Sequence, residues 1–200
     1  MRTNYVLLDF ENVQPPSLEA LAHDHFKLLV FVGASQTKVP FEIAASLQQL
    51  GAQAEYIKIT GNGSNALDFH IAYYIGKLAA ADPTAYFHIV SKDTGFDPLL
   101  QHLKANGIFA GRVKAIADIP LVKASAAKTP MERNHVALTW LQQTKATKPR
   151  TLKTLTSTIA SLFQKQLSEE QVAVIVQWLA GQGHLEITGT KVSYPARGDA

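Results

Sequence analysis

Tyr5-Val6-Leu7-Leu8-Asp9-Phe10-Glu11-Asn12-Val13 is the stretch on which the reading of this chain turns. Val6, Leu7 and Leu8 follow one another with no polar residue between them, so the alternation of a half-buried strand is missing. A continuous apolar run of this kind fits a strand buried on both faces, at the centre of a parallel sheet with helices on each side. The run stops at Asp9, and Glu11 and Asn12 follow at once. Asp9 then sits at the carboxyl end of the strand, the edge of an open α/β sheet where sites are built. Pro15, Pro16, Ser17, Leu18 and Glu19 come next, and proline is tolerated in a first helical turn. The expectation is strand, acidic elbow, helix.

Working outward, residues 26–33 form a second apolar run ending in Gly33. Residues 40–50 carry Ile43, Leu47 and Leu50 at helical spacing and stop at Gly51. A third strand is expected over 54–59, a loop over 60–65, and a helix over 66–80 that Asn65 caps. Leu67, Ile71, Tyr74, Ile75 and Leu78 mark one face of that helix. A fourth strand over 86–90 ends in Ser91-Lys92-Asp93, a short helix follows over 98–105, and a fifth strand falls within 108–116. Strands alternating with helices imply right-handed βαβ units, hence an α/β fold with a parallel sheet.

The remainder has a different character. Residues 123–130, Lys-Ala-Ser-Ala-Ala-Lys-Thr-Pro, are small and polar and read as a linker. Three helical patterns follow: Val136, Leu138, Trp140 and Leu141; then Leu152, Leu155, Ile159 and Leu162; then Val172, Ile175, Val176 and Leu179. The last opens with Ser168 and Gln171, a capping box. Leu185 to Thr188 and Lys191 to Tyr194 flank Gly189-Thr190, where glycine suits a tight type II′ hairpin turn. Three helices and a hairpin outline a small winged-helix-like domain. The domains expected are thus 1–122, a linker at 123–130, and 131–200.

The chain has 200 residues, no cysteine and a net charge of +3. That charge is unevenly spread: 9 basic against 11 acidic residues through Val122, then 10 against 5 from Lys123 onward. The acidic front and basic tail suggest a division of labour. No run approaches the roughly 18 apolar residues that cross a bilayer, so no membrane association is expected. No signal peptide is evident, and the lack of cysteine favours a cytoplasmic home.

Four acids fall where the sheet would bring them together. Asp9 ends the first strand, Asp93 ends the fourth, Asp97 opens the helix after it, and Asp68 lies in the first turn of the helix over 66–80. Oxygen ligands without cysteine or paired histidine suit Mg²⁺ or Mn²⁺. Such a site can activate water and hold a phosphodiester for in-line attack. Each acid also has an ordinary structural role open to it. Asp97 precedes Pro98 and can cap a helix, Asp68 can complement a helix dipole, and Asp93 can form a turn. Glu11 reads equally as a ligand or a solvated loop acid, and Asn12 as an elbow former or a substrate contact.

Leu7-Leu8-Asp9-Phe10-Glu11-Asn12-Val13 resembles the opening motif of the NYN branch of the PIN-like nucleases. Ser91-Lys92-Asp93-Thr94-Gly95-Phe96-Asp97-Pro98-Leu99-Leu100 resembles that branch's second signature. The resemblance covers residues 3 to about 117 and implies a PIN-like sheet, an Mg²⁺ or Mn²⁺ site and hydrolysis of RNA. Asp9, Asp68 and Asp93 match its metal-site acids, and Asn12 its motif asparagine. Glycine usually stands where Lys92 is, and a second aspartate where Gly95 is. Asp97 is then the candidate fourth ligand, and Lys92 a candidate phosphate contact.

The expected function is a metal-dependent endoribonuclease acting on RNA, single-stranded by preference. Asp9, Asp68, Asp93 and Asp97 serve as catalytic and metal-binding residues in this reading, and Asn12 and Lys92 bind substrate. The alternative is a nucleic-acid-binding module with a degenerate site, suggested by Gly95. A receiver-like or phosphatase-like aspartyl elbow is a third reading, and it lacks a threonine at Val13. Lys145, Lys148, Arg150, Lys153 and Lys191 offer phosphate contacts in the tail. The helix from Ser168 has no lysine or arginine and carries Glu169 and Glu170, so it does not read as a major-groove recognition helix. A protein partner or self-association through the tail is the competing role.

Overall fold

The structure is a computed structural model and describes residues 2–143 and 148–195. The opening run forms strand β1 (Asn4–Asp9). Val6, Leu7 and Leu8 are completely buried, as a strand covered on both faces requires. β2 (Phe26–Val32), β3 (Ala54–Lys58), β4 (Tyr86–Val90) and β5 (Phe109–Val113) join it in one sheet of order β3-β2-β1-β4-β5. Every pairing in that sheet is parallel. Helices α1 (Phe41–Leu50), α2 (Ala66–Ala81) and α3 (Asp97–Ala105) make the later crossovers.

The chain runs outward from β1 to β3, then crosses back to place β4 on the other side of β1. The order reverses between β1 and β4, and a crevice opens at the carboxyl ends of the strands at such a point. Leu7, Leu29, Phe31 and Ile89 pack with Leu67, Ile71 and Ile75 of α2 on one face. Val6, Leu8, Leu28 and Val30 alternate with them, face the other way, and are buried too. The outer strands are less covered: Tyr56 on β3 and Phe109 on β5 are both 40% exposed.

The chain divides into two compact units, Met1–Ile119 and Pro120–Ala200. The second contains α4 (Pro120–Ala126), α5 (Pro130–Gln143), α6 (Leu152–Leu162), α7 (Glu169–Gly181) and the antiparallel hairpin β6 (Glu186–Thr188) and β7 (Lys191–Ser193). Leu155, Ile159, Val176, Leu179, Leu185 and Val192 are central to its core. The Ser168–Gln171 capping box forms, and Thr151 and Thr154 make a second one on α6. Gly189 has φ +61° at the first central position of the hairpin turn, the conformation for which glycine is needed. No helix among the described residues is long and apolar enough to cross a membrane.

Three expectations are corrected. The first crossover is no α-helix, only a 3-10 turn over Glu19–Leu21. Pro15 and Pro16 supply no N–H, and few residues remain before β2 for a helix to propagate. The linker expected over 123–130 is helical as far as Ala126, because Ala124 is buried in the core of the second unit. Asn65 stands at the start of α2 with φ 62° and makes no side-chain cap. Lys145 lies outside the described residues.

One buried polar pair sits within the sheet. His88 on β4 meets Asn4 on β1, Nε2 donating to Oδ1 at 3.0 Å. Burial pushes His88 from 6.5 down to about 3, so it is neutral at physiological pH. Between those values the unfolded chain binds a proton that the folded chain refuses. Stability is therefore lost as pH falls from about 6.5 toward 3, by at most ~1.4 kcal/mol per pH unit. Urea unfolding at pH 7 and pH 5.5 should show wild type losing about 1 kcal/mol more than His88→Gln. Equal losses would show that His88 is not held neutral.

Candidate functional site

Asp9 ends β1, and the residue as a whole is 4% exposed. It stays in place because both oxygens have donors. The Asn12 amide donates to Oδ1 at 3.1 Å, and the Ser91 hydroxyl, from the end of β4, donates to Oδ2 at 2.8 Å. The same Asn12 amide and that of Val13 also donate to the Asp9 carbonyl and fold the acidic elbow back on the strand. Burial raises the Asp9 carboxyl above the usual carboxylate range, against the lowering effect of those hydrogen bonds.

The Ser91 hydroxyl also accepts from the Asp93 amide at 3.0 Å, and the Gly95 amide donates to Asp93 Oδ1 at 2.7 Å. One buried hydroxyl thus ties the Asp9 carboxylate to the turn that carries Asp93. Across the mouth, Asn12 Oδ1 accepts from the Lys92 amide at 3.3 Å, joining the elbow to the same turn. Asn12 therefore acts first as a brace between β1 and β4.

Asp68 reaches the same place from α2. Its carboxyl is raised by burial, then by the charges of Asp93, Asp9 and Glu11. Asp9, Glu11, Asn12, Asp68 and Asp93 line one cleft of about 370 Å³. Its other wall comes from Ala34 and Ser35 after β2 and from residues 59–67. Among the described residues, no three histidine, aspartate or glutamate side chains stand close enough to hold one metal ion. The hydrogen bonds explain the spread: Asp9 and Asp93 are drawn onto backbone and hydroxyl donors, and like charges hold the other acids apart. The donor set still suits a hard cation. All its ligand atoms are oxygen, and Mg²⁺ keeps several waters and takes only one or two protein carboxylates directly.

Two residues expected at the site lie outside the cleft. Asp97 forms a two-pronged ion pair with Arg112 of β5, Nε to Oδ1 at 2.9 Å and Nη2 to Oδ2 at 3.2 Å. That guanidinium holds the Asp97 carboxyl below the usual range. Asp97, expected as a fourth ligand, thus has both oxygens engaged by Arg112 and does not line the cleft with the other acids. Lys92 contributes its amide to Asn12, while its side chain is exposed and does not line the cleft.

Several positions that matter had no signal of their own in the sequence. Arg112 also donates to the Ser91 carbonyl at 3.3 Å, fixing the end of β4 from the far side. Lys58 Nζ donates to the carbonyls of Gly33 and Gln36 and closes the loop that carries Ala34 and Ser35. At Gly33 an added Cβ would come within 1.7 Å of Glu11 Oε1, so only glycine leaves Glu11 where it lies against the cleft. The contact is between residues 22 positions apart, and spacing does not reveal it.

The raised Asp9 carboxyl has a stability consequence. A buried acid whose folded value is raised costs stability above that value, and the cost is relieved as pH falls and it protonates. Asp9→Asn should therefore melt at an equal or higher temperature than wild type at pH 7, by up to a few degrees. The difference should shrink as pH is lowered toward 4, as followed by circular dichroism. A variant that melts well below wild type at pH 7 would contradict this.

A family model described as PIN domain matches residues 3–113, more than half of the chain. That span runs from β1 through β5 and includes every acid of the cleft. No curated protein and no solved structure matches the chain. PIN domains are typically nucleases, and this chain, with its parallel five-stranded sheet and acidic carboxyl edge, belongs to the PIN domain family.

Proposed function

We propose that the chain is a metal-dependent endoribonuclease of the NYN type, acting on single-stranded RNA in the cytoplasm. The observation that carries the reading is the convergence of Asp9, Glu11, Asp68 and Asp93 on one cleft, where burial and then the neighbouring carboxylates raise the Asp68 carboxyl above its usual range. Asp9, Asp68 and Asp93 would hold Mg²⁺ or Mn²⁺. When bound, the cation supplies positive charge for the phosphate oxygens and lowers the pKa of water. Glu11, kept against the cleft by Gly33, takes the place that Asp97 was expected to fill. Asn12 and Ser91 keep the elbow and the Asp93 turn in register, so that the acids face the substrate together.

The tail supports a recruiting role. Segment 148–151 runs beside β7, with Arg150 accepting from the Val192 amide and Thr151 bridged to Lys191. Lys148 stands 5.0 Å from the Tyr194 ring centre. Lys148, Arg150, Lys153 and Lys191 thus gather around the hairpin of a unit with the outline of a winged helix, suited to phosphate backbone contacts. A protein partner or a second copy at this unit is the competing proposal.

A second reading is favoured by one observation, the wide spacing of the acids. In it the chain binds RNA without turning it over. Cleavage of end-labelled single-stranded RNA by the full-length protein in Mn²⁺ separates the two. Wild type should cleave, EDTA should stop it, and Asp9→Asn should lose more than about 100-fold. Asp97→Asn should stay within about tenfold of wild type, because Asp97 lies outside the cleft. Cleavage retained by Asp9→Asn would sink the site assignment. Binding without cleavage across several RNAs would establish the second reading.

A further inference from the structure

α2 buries one side and leaves another unexplained. Leu67, Ile71, Ile75 and Ala79 face the core. On the opposite side Phe69 is 70% exposed and Tyr73 is 63% exposed. They are four residues apart, so they lie on one stripe about 6 Å apart along the axis. Lys77, four residues further on, continues the stripe and is also exposed. Neither ring contributes to the core, and leaving two large aromatic side chains in water has no structural reason here.

We propose that Phe69 and Tyr73 form a stacking platform for two neighbouring bases of single-stranded RNA, whose backbone passes on into the acidic cleft. The proposal rests on the hydrolase reading and adds the means by which the strand is gripped. Three observations carry it. The stripe begins beside the cleft, since Phe69 lies one turn on from Asn65 and Ala66, which line it, and its amide donates to the Asn65 carbonyl. Its charge suits a polyanion: Asp68 is the only carboxylate in α2, it belongs to the cleft, and Lys77 lies at the far end of the stripe. The geometry suits a flat ligand as well. Tyr73 is braced in a T-shaped contact by Tyr74 with centroids 5.5 Å apart, and Tyr74 makes a second T-shaped contact with Phe31 of the core at 5.4 Å. Two largely exposed rings one helical turn apart suit stacked bases better than they suit a protein partner, which needs a contiguous apolar patch. Base stacking on aromatic side chains tolerates any sequence, because every base has a flat face.

The test uses full-length protein in EDTA, so that nothing is cleaved, with a fluorescein-labelled uridine decamer and an abasic strand of equal length. Phe69→Ala/Tyr73→Ala should weaken decamer binding by at least about tenfold, leave the abasic strand's affinity unchanged, and melt like wild type. Tyr73→Trp should keep decamer affinity and show tryptophan quenching with the decamer alone, beyond any signal from Trp140 and Trp178. Unchanged decamer affinity in the double variant, equal weakening for both strands, or no decamer binding by wild type would overturn the platform. A dimer that dissociates in the double variant, with decamer affinity unchanged, would assign the stripe to a second copy instead. RNA cleavage by a double variant of unchanged affinity removes the platform and leaves the hydrolase reading standing. Base-dependent binding by a protein that never cleaves does the reverse.

Discussion

The carboxylate of Asp9, a buried residue, is held by a hydroxyl at the end of a strand 82 residues away, and the rest of the site depends on that contact. Ser91 reaches Asp9 only because β4 pairs directly with β1, which in turn requires the crossover through α2. That crossover delivers Asp68 to the same edge. The Ser91 hydroxyl then accepts from the Asp93 amide, so one side chain ties the acid that ends β1 to the acid in the turn after β4. Burial opposes the charge on Asp9 and hydrogen bonding favours it, and the net effect is a raised carboxyl. A cation in the cleft would reverse that balance, since it favours the ionised form of every acid facing it.

Around this centre the fold adds fixed supports. Arg112 engages Asp97 with two nitrogens and the Ser91 carbonyl with a third, which makes Asp97 part of the frame instead of the cleft. Lys58 and Gly33 do the same work on the opposite wall, one closing the loop after β2 and the other leaving room for Glu11. The site is therefore built at strand ends and braced on both flanks, an arrangement that positions groups more rigidly than free loops do.

Much of this was legible in the sequence. The unbroken apolar run ending at Asp9 specified a doubly covered strand, and the alternation of patterns specified a parallel α/β sheet. The convergence of Asp9, Asp68 and Asp93 on one cleft was legible because each sat near the carboxyl end of a strand or at the start of a helix. The engagement of Asp97 was not, because its partner, Arg112, is 15 residues away on another element, and local spacing cannot distinguish a ligand from half of an ion pair. The contact of Gly33 with Glu11 is equally non-local. The first crossover was misread because proline is tolerated in a first helical turn and so reads as a helix start, whereas two prolines in succession and a short tether leave only a 3-10 turn. Residues 123–130 looked like a linker because small residues carry no periodic signal, although Ala124 is a core residue.

The central claim is that the acidic cleft is a divalent-cation site, and direct metal binding tests it without any assumption about substrate. Full-length protein would be titrated with Mn²⁺ in the absence of RNA, with free Mn²⁺ followed by electron paramagnetic resonance. The account predicts saturable binding in wild type, displaced by Mg²⁺ and weakened at least about tenfold in Asp9→Asn. No binding by wild type, or the same binding by Asp9→Asn, would contradict it.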